Sequence, residues 1–321
     1  MTTGKPLLLF VHGIGGTRDA AAERRDWLRA LATGARDAGM PETISALTQG
    51  WLADVTFADY SDLFHRRGAQ GDPAAELDDE EARFLAGFLD SLLEQLAENV
   101  PADAPPQDAR VLRDARFQLD AAVQGRPGQA VGELGRLLVG VTTTVLRLPG
   151  LRRAGQWANG SRLLLHLSQV GRYLDRRPRR AGLGEAVRAR LLDAMDPGRP
   201  TVVVSHSLGT VVAYEALHAH PGPVPLWVTL GSPLALGGVV LDRLVPRPPH
   251  CPPHVGSWLN FWDRDDVVVG RPRLADWIAP GAHGVKAVTT QVRSRGLWTH
   301  TATKYLEHGC VARPVIEALG R

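Results

Sequence analysis

The stretch Pro200-Thr201-Val202-Val203-Val204-Ser205-His206-Ser207-Leu208-Gly209 narrows the choice of fold more than any other part of the chain. Three valines in a row, with no polar alternation, are the mark of a strand buried on both faces of a parallel sheet. A helical pattern then runs from Leu208 to Ala219, so strand passes into helix within a couple of residues. A serine at such a turn is pushed into a strained, exposed backbone position, and small residues two before and two after it let strand and helix approach closely. Gly209 is the small residue after Ser207; Ser205 stands where glycine is more usual and is small enough to pack. Ser207 is therefore a candidate nucleophile, and the plain alternative is a serine capping the helix that follows.

A buried parallel strand needs neighbours, and the chain offers them in two blocks. Leu7–Val11 is a short apolar run closed by Gly13, an amphipathic pattern spans Thr17–Ala38, and Val55–Tyr60 reads as a second strand. Beyond Ser207, strands are expected at Pro225–Leu230, Ser257–Trp262 and Val285–Val292, and a helix at Thr301–His308. Between the blocks only helices are expected, at 80–98, 110–124, 129–148, 161–175 and 183–195. The expectation is an α/β fold with a mostly parallel central sheet built from 1–60 and 200–321, and with 61–199 inserted as an all-helical cap or lid. An apolar share of 44% supplies a core that a disordered chain lacks.

The insertion also carries the charge asymmetry. Twelve arginines lie between Leu134 and Arg190 against Asp175 and Glu185, a local charge of +10 that leaves −7 for the rest of a chain of net charge +3. Such a segment suits either peripheral contact with anionic lipid or ordinary solvated helix faces. Its apolar run Leu137–Leu146, flanked by Arg147, Arg152 and Arg153, suits a lid, a lipid-facing helix or a buried one, and is too short to span a bilayer. No apolar run is long enough for a transmembrane helix or a signal-peptide core, so a soluble, cytoplasmic protein with no nucleic-acid partner is expected. Cys251 and Cys310 allow one disulfide at most.

A serine hydroxyl is a weak nucleophile and needs a histidine base with an acid to orient it. At strand-turn-helix sites of this kind the acid and then the histidine follow the serine, each after a strand. His300 is the best placed histidine, past the last expected strand and just before a helix. The acid should follow the strand ending at Trp262, where Asp263, Asp265 and Asp266 compete; their other role is surface pairing with Arg264 or Arg271. Attack on a carbonyl places negative charge on oxygen, and two preorganised N–H groups must receive it. Leu208 should give one and Ile14 the other, from the loop His12-Gly13-Ile14-Gly15-Gly16 whose glycines let backbone come close. No Gly-Lys-Ser/Thr follows that loop, which argues against phosphate binding. His206 is expected to diverge from Ser207 and to be structural. No metal or organic cofactor is needed, and His250-Cys251-Pro252-Pro253-His254, with two prolines and no helical spacing, suits zinc poorly.

In His12-Gly13-Ile14-Gly15-Gly16, Ser205-His206-Ser207-Leu208-Gly209, Gly231-Ser232-Pro233-Leu234 and the Asp-rich loop followed by His300, the chain resembles the α/β-hydrolase superfamily, and within it the serine lipases and esterases. Thr299-His300 with Tyr305 five residues on is similar to the end of the triacylglycerol lipases, and Asp266-Val267-Val268 looks like theirs, which favours Asp266 as the acid. The resemblance covers about 1–60 and 200–321. The superfamily's usual first two antiparallel strands are not visible before Leu7, so a shortened sheet is expected. What the resemblance implies is hydrolysis of a carboxylic ester, small-molecule or lipid, through an acyl-enzyme on Ser207, His300 and Asp266. A thioesterase or acyltransferase would use the same residues, and a non-catalytic hydrolase-like binding protein would keep the fold.

Overall fold

The computed structural model of the chain describes residues 4–13, 15, 19–64, 77–98, 105–124, 131–148, 160–178, 181–266, 268–269, 271–294 and 300–320. Six strands, β1 (Leu7–Val11), β2 (Asp54–Ala58), β3 (Thr201–His206), β4 (Leu226–Leu230), β5 (Trp258–Asp263) and β6 (Ala287–Val292), form one sheet. Their order is β2-β1-β3-β4-β5-β6, with every neighbouring pair parallel. Every residue of β1 and β3 is buried, which is why both read as unbroken apolar runs. From β1 the chain turns one way to β2 and then crosses back to β3 on the other side. That reversal opens a crevice at the carboxyl ends of β1 and β3, and the register that sets Val11 opposite Ser205 brings Gly13 and Ser207 together there.

The described helices are α1 (Ala20–Asp37), α2 (Ile44–Thr48), α3 (Asp79–Glu98), α4 (Pro106–Val123), α5 (Val131–Val145), α6 (Gly160–Leu174), α7 (Ala181–Asp193), α8 (Leu208–Ala219), α9 (Ala302–Leu306) and α10 (Gly309–Leu319). Side chains of a strand alternate between faces, and the core divides accordingly. Leu8, Phe10, Val202, Val204 and Val228 pack with Trp27 and Leu31 of α1, Tyr305 of α9 and Val315 of α10. Leu9, Val11, Val203 and Trp227 face the other way, into one continuous cluster that takes in Val211 and Val212 of α8 and, through them and their neighbours, Leu85, Val141, Leu167 and Leu191 of α3, α5, α6 and α7. The result is three layers, helix, sheet and helix.

The apolar interior of the helices between β2 and β3 is continuous with that of the sheet. Leu138, Val141 and Val145, from the most apolar stretch of α5, belong to the same buried cluster as Val11 and Val203; Arg152 and Arg153 lie outside the described residues. Several described arginines of the basic segment form ion pairs within the chain, some buried and some at the surface. Arg172 pairs with Glu81 at 2.6 Å, Arg177 with Asp175 at 2.5 Å, Arg188 with Glu215 at 3.0 Å and Arg190 with Asp62 at 3.0 Å, and Arg176 also pairs with Glu215.

The C-terminus departs from expectation. The helix expected over 301–308 stops at Leu306, and α10 follows from Gly309 despite Pro314 inside it. A glycine start and an internal proline both lower helix propensity. Burial of Val311, Ala312, Val315, Ile316 and Leu319 along one face outweighs that cost. Cys251 and Cys310 are both free thiols. Among the described residues no helix is long and apolar enough to cross a membrane.

Candidate active site

β3 ends at His206 and α8 begins at Leu208, so Ser207 alone turns the chain. Its backbone sits at φ 54° and ψ −128°, a region that penalises any residue with a Cβ and persists only where the surroundings impose it. They do so from both sides: the Ser207 N–H donates to Leu230 O at 3.1 Å, and its carbonyl accepts from the Thr210 N–H at 2.9 Å and hydroxyl at 2.8 Å. The side chain makes no capping bond to α8, so the helix-cap role does not describe it. Close approach explains the glycines. A Cβ on Gly209 would collide with the Val11 and His12 carbonyl oxygens, and one on Gly13 would lie 2.6 Å from Ser207 Cβ. Ser205, the departure from glycine, accepts from Trp227 Nε1 at 2.9 Å and donates to Val228 O at 3.1 Å, so its hydroxyl is consumed within the sheet.

Ser207 Oγ lies 2.9 Å from His300 Nε2, and His300 Nδ1 lies 2.8 Å from Asp266 Oδ2. All three are buried, at 1%, 4% and 4% exposure. A proton on Nδ1 donates to Asp266 and leaves the Nε2 lone pair facing the serine hydroxyl. Asp266 is itself held: the Val268 N–H donates to Oδ1 at 3.0 Å and the Tyr305 hydroxyl to Oδ2 at 2.6 Å. Burial and the Asp266 charge push the Tyr305 pKa well above the usual phenol value, which keeps the hydroxyl a donor. The same oxygen accepts the Asp263 N–H at 3.0 Å. The Asp263 carboxylate takes the N–H groups of Asp265 (2.9 Å) and Ser294 (2.5 Å), shaping the turn after β5. Of the three competing carboxylates, the one placed against His300 is Asp266.

Gly231 closes β4 at φ +54°, and a Cβ there would stand 2.6 Å from Asp266 Oδ2 and 3.2 Å from His300 Nδ1. The role of Gly231-Ser232-Pro233-Leu234 is thus to give the histidine–carboxylate pair room, while Ser232 Oγ ties the loop to Thr210 of α8 at 2.9 Å. His206 points away from Ser207 as a packing residue, yet stays beside His300. Its ring packs 4.6 Å from that of His300, because the last side chain of β3 shares the face occupied by Trp27 and Tyr305.

On the other side of Ser207, Leu208 opens α8, where a first-turn N–H has no intrahelical acceptor and the helix dipole favours negative charge. Ile14 and Gly16 lie outside the described residues. His12 is scaffolding for this turn: Nδ1 meets Gly13 O at 2.6 Å, and the ring stacks 4.0 Å from Tyr60, whose hydroxyl donates to the His12 carbonyl. His12 Nε2 is 3.3 Å from Asp59 Oδ1, and this contact holds the Asp59 carboxyl well below the ordinary carboxylate range. Gln169 of α6 completes the surroundings, bonding both backbone groups of Gly15 at 3.0 and 2.9 Å. Nothing in the sequence marks Tyr60 or Gln169 as belonging here.

No protein-family model, curated protein or solved structure matches this chain. Among the described residues no three His, Cys, Asp or Glu side chains are grouped to hold a metal ion. In the His250–His254 segment, His250 Nδ1 faces Pro248 O at 2.9 Å and burial pushes the Cys251 thiol up to about 12. Chemically, a hydroxyl, an imidazole and a carboxylate in line can pass a proton from Oγ to Nε2 as Oγ attacks an electrophilic carbon.

Proposed function

We propose that the protein is a serine hydrolase of the α/β-hydrolase kind, cleaving carboxylic esters of small molecules or lipids through an acyl-enzyme. The observation that carries this reading is the Ser207–His300–Asp266 line, 2.9 and 2.8 Å, built on a serine with a strained backbone between a buried strand and a helix. Strain of this kind is maintained where it aims a side chain at a partner.

In the proposed reaction Ser207 Oγ attacks the acyl carbon while His300 Nε2 takes its proton. The Asp266 carboxylate stabilises the imidazolium without itself becoming protonated. The carbonyl oxygen, now negative, is met by the Leu208 N–H and by the glycine turn after β1, with Ile14 as the second donor. Collapse of the tetrahedral species breaks the bond to the alkoxide, which leaves with the proton from Nε2. Water then repeats the sequence, His300 taking its proton, and the acid departs with Ser207 restored. Residues 61–199 are read as the insertion that shapes the acyl pocket. Ser205 does not weaken the reading, since its hydroxyl is absorbed by Trp227 and Val228 away from the nucleophile.

The test is Ser207→Ala. Hydrolysis of p-nitrophenyl esters should fall by about 10³-fold or more, and a fluorophosphonate probe should label the native protein at Ser207 only. Turnover that survives the substitution removes Ser207 from the chemistry.

A further inference from the structure

The glycine turn after β1 poses a physical problem. Three of the five residues in His12-Gly13-Ile14-Gly15-Gly16 are glycine, the residue that loses most conformational freedom on folding. A donor group in such a turn stabilises a transition state only if it is already aimed before charge develops. The turn needs the glycines, because Gly13 runs against Ser207, so its rigidity has to come from elsewhere.

We infer that Gln169 is a positioning residue for this turn. This rests on the hydrolase reading above. Its side-chain amide spans one residue: the Gly15 N–H donates to Oε1 at 3.0 Å and the Gly15 carbonyl accepts from Nε2 at 2.9 Å. Two bonds from one planar group fix the peptide planes on both sides of Gly15, as a partner strand would. Gln169 is buried, which raises the cost of leaving either bond unmade. The helix that presents it is pinned in turn. Arg172, one turn further along α6, donates from Nε to Glu81 at 2.6 Å and from a terminal nitrogen to Phe64 O at 3.2 Å, and Gly171 lies against the Phe84 ring. The helical segment between β2 and β3 therefore reaches the reacting centre through one amide and sets the geometry of its anion-binding side.

The test uses the full chain with Gln169→Met, which keeps volume and loses both hydrogen bonds. Gln169→Glu keeps the acceptor and sets a carboxylate oxygen against the Gly15 carbonyl. For each, kcat and KM for p-nitrophenyl butyrate are measured, together with Ki for a trifluoromethyl ketone that adds Ser207 to form a tetrahedral oxyanion. Losing a whole oxyanion donor costs about 10²–10³ in kcat, so misaiming one should cost about 10- to 100-fold. KM should stay within about 2-fold, and Ki should rise in step with the loss in kcat/KM. A variant with wild-type kcat, or one that changes KM and leaves Ki untouched, overturns the inference; Gln169→Glu decides the matter if Gln169→Met does not fold. Wild-type protein that neither labels with fluorophosphonate nor turns over ester takes down the hydrolase reading and this inference with it. Labelled, active wild type with unaffected variants takes down the inference alone.

Discussion

Gly231→Ala isolates the packing on which the histidine–carboxylate pair depends. The new methyl would stand 2.6 Å from Asp266 Oδ2, whereas ordinary contact begins at 3.4 Å, so the two must separate by about 0.8 Å. That oxygen already receives His300 Nδ1 at 2.8 Å and the Tyr305 hydroxyl at 2.6 Å, and a shift of this size stretches both beyond hydrogen-bonding distance. Bonds to charged groups contribute about 1.5–3 kcal/mol each, and the left-handed backbone costs alanine a further 1–2 kcal/mol or so. The sum, about 4–8 kcal/mol before any relaxation, is a large fraction of a typical domain's 5–15 kcal/mol or so. A displaced His300 should also cost about 10²-fold in kcat, because reacting groups tolerate little misplacement. Gly238→Ala is the control, since it shares a positive φ (+70°) and its Cβ would meet nothing within 4 Å. It should lose only the backbone part, with activity intact. Urea unfolding followed by tryptophan fluorescence gives the stabilities, and ester turnover gives kcat. Equal losses in the two variants by both measurements would refute the reasoning, because no cost would then be attributable to Asp266.

Tyr305→Phe removes the donor to Asp266 and leaves the buried Asp263 N–H without its acceptor. It should destabilise by about 1–3 kcal/mol in urea and lower kcat about 10-fold; an unchanged Tm and kcat would contradict this. Ser205→Gly moves the turn toward the commoner glycine, yet it strands the buried Trp227 Nε1–H, so a loss of about 1–3 kcal/mol with kcat unchanged is expected in denaturant titration. Asp266→Asn should cut kcat about 10³- to 10⁴-fold with little change in fold, and Asp263→Asn should act mainly on stability through the Asp265 and Ser294 N–H groups; the reverse pattern in steady-state kinetics would reassign the acid. Burial and the neighbouring His250 draw the His218 pKa down from 6.5 to about 4. Between those values the unfolded chain binds a proton that the folded chain refuses, so stability present above about pH 6.5 is lost as pH falls. His218→Gln should flatten that loss in urea midpoints taken at pH 7.5 and 4.5.

Local constraints account for what could be read from the chain alone. A strand buried on both faces has no room for polar alternation, which exposes β1 and β3. The turn at Ser207 needs small neighbours at fixed offsets, which exposes the serine. His300 follows from chain order, since it lies beyond β6. The acid could not be read this way, because Asp263, Asp265 and Asp266 fall within four residues. The contacts that separate them come from Tyr305 and His300, 39 and 34 residues beyond Asp266. Gln169 stands 154 residues from Gly15, and a glutamine on an amphipathic helix carries no signal of what it will touch. The contact of the His206 ring with His300 is not legible in the sequence for a related reason: adjacent side chains diverge on a strand, but the face that His300 occupies is set by residues far along the chain.

The charge asymmetry and the site are parts of one arrangement. Burial of Leu167, Val170 and Leu191 holds α6 and α7 on the face that carries α8, yet the hydrophobic effect is non-directional and does not fix how a helix is rotated about its axis. Glu215 of α8 does fix it. Its buried carboxylate receives the Tyr173 hydroxyl at 2.7 Å, Arg188 at 3.0 Å, Arg176 and the Val245 N–H at 3.3 Å. A buried carboxylate adds little net stability even when paired, and costs several kcal/mol if left unpaired, on the order of 3–5. A shift or rotation of α6 or α7 would take Tyr173, Arg176 or Arg188 away from it. Tyr173 and Gln169 lie four residues apart on α6, about one turn. The register that brings Tyr173 to Glu215 therefore also brings Gln169 to Gly15. On this account Arg176 and Arg188 of the basic segment serve the inside of the molecule: they help to select the docking of the helical layer in which the glycine turn beside Ser207 is held.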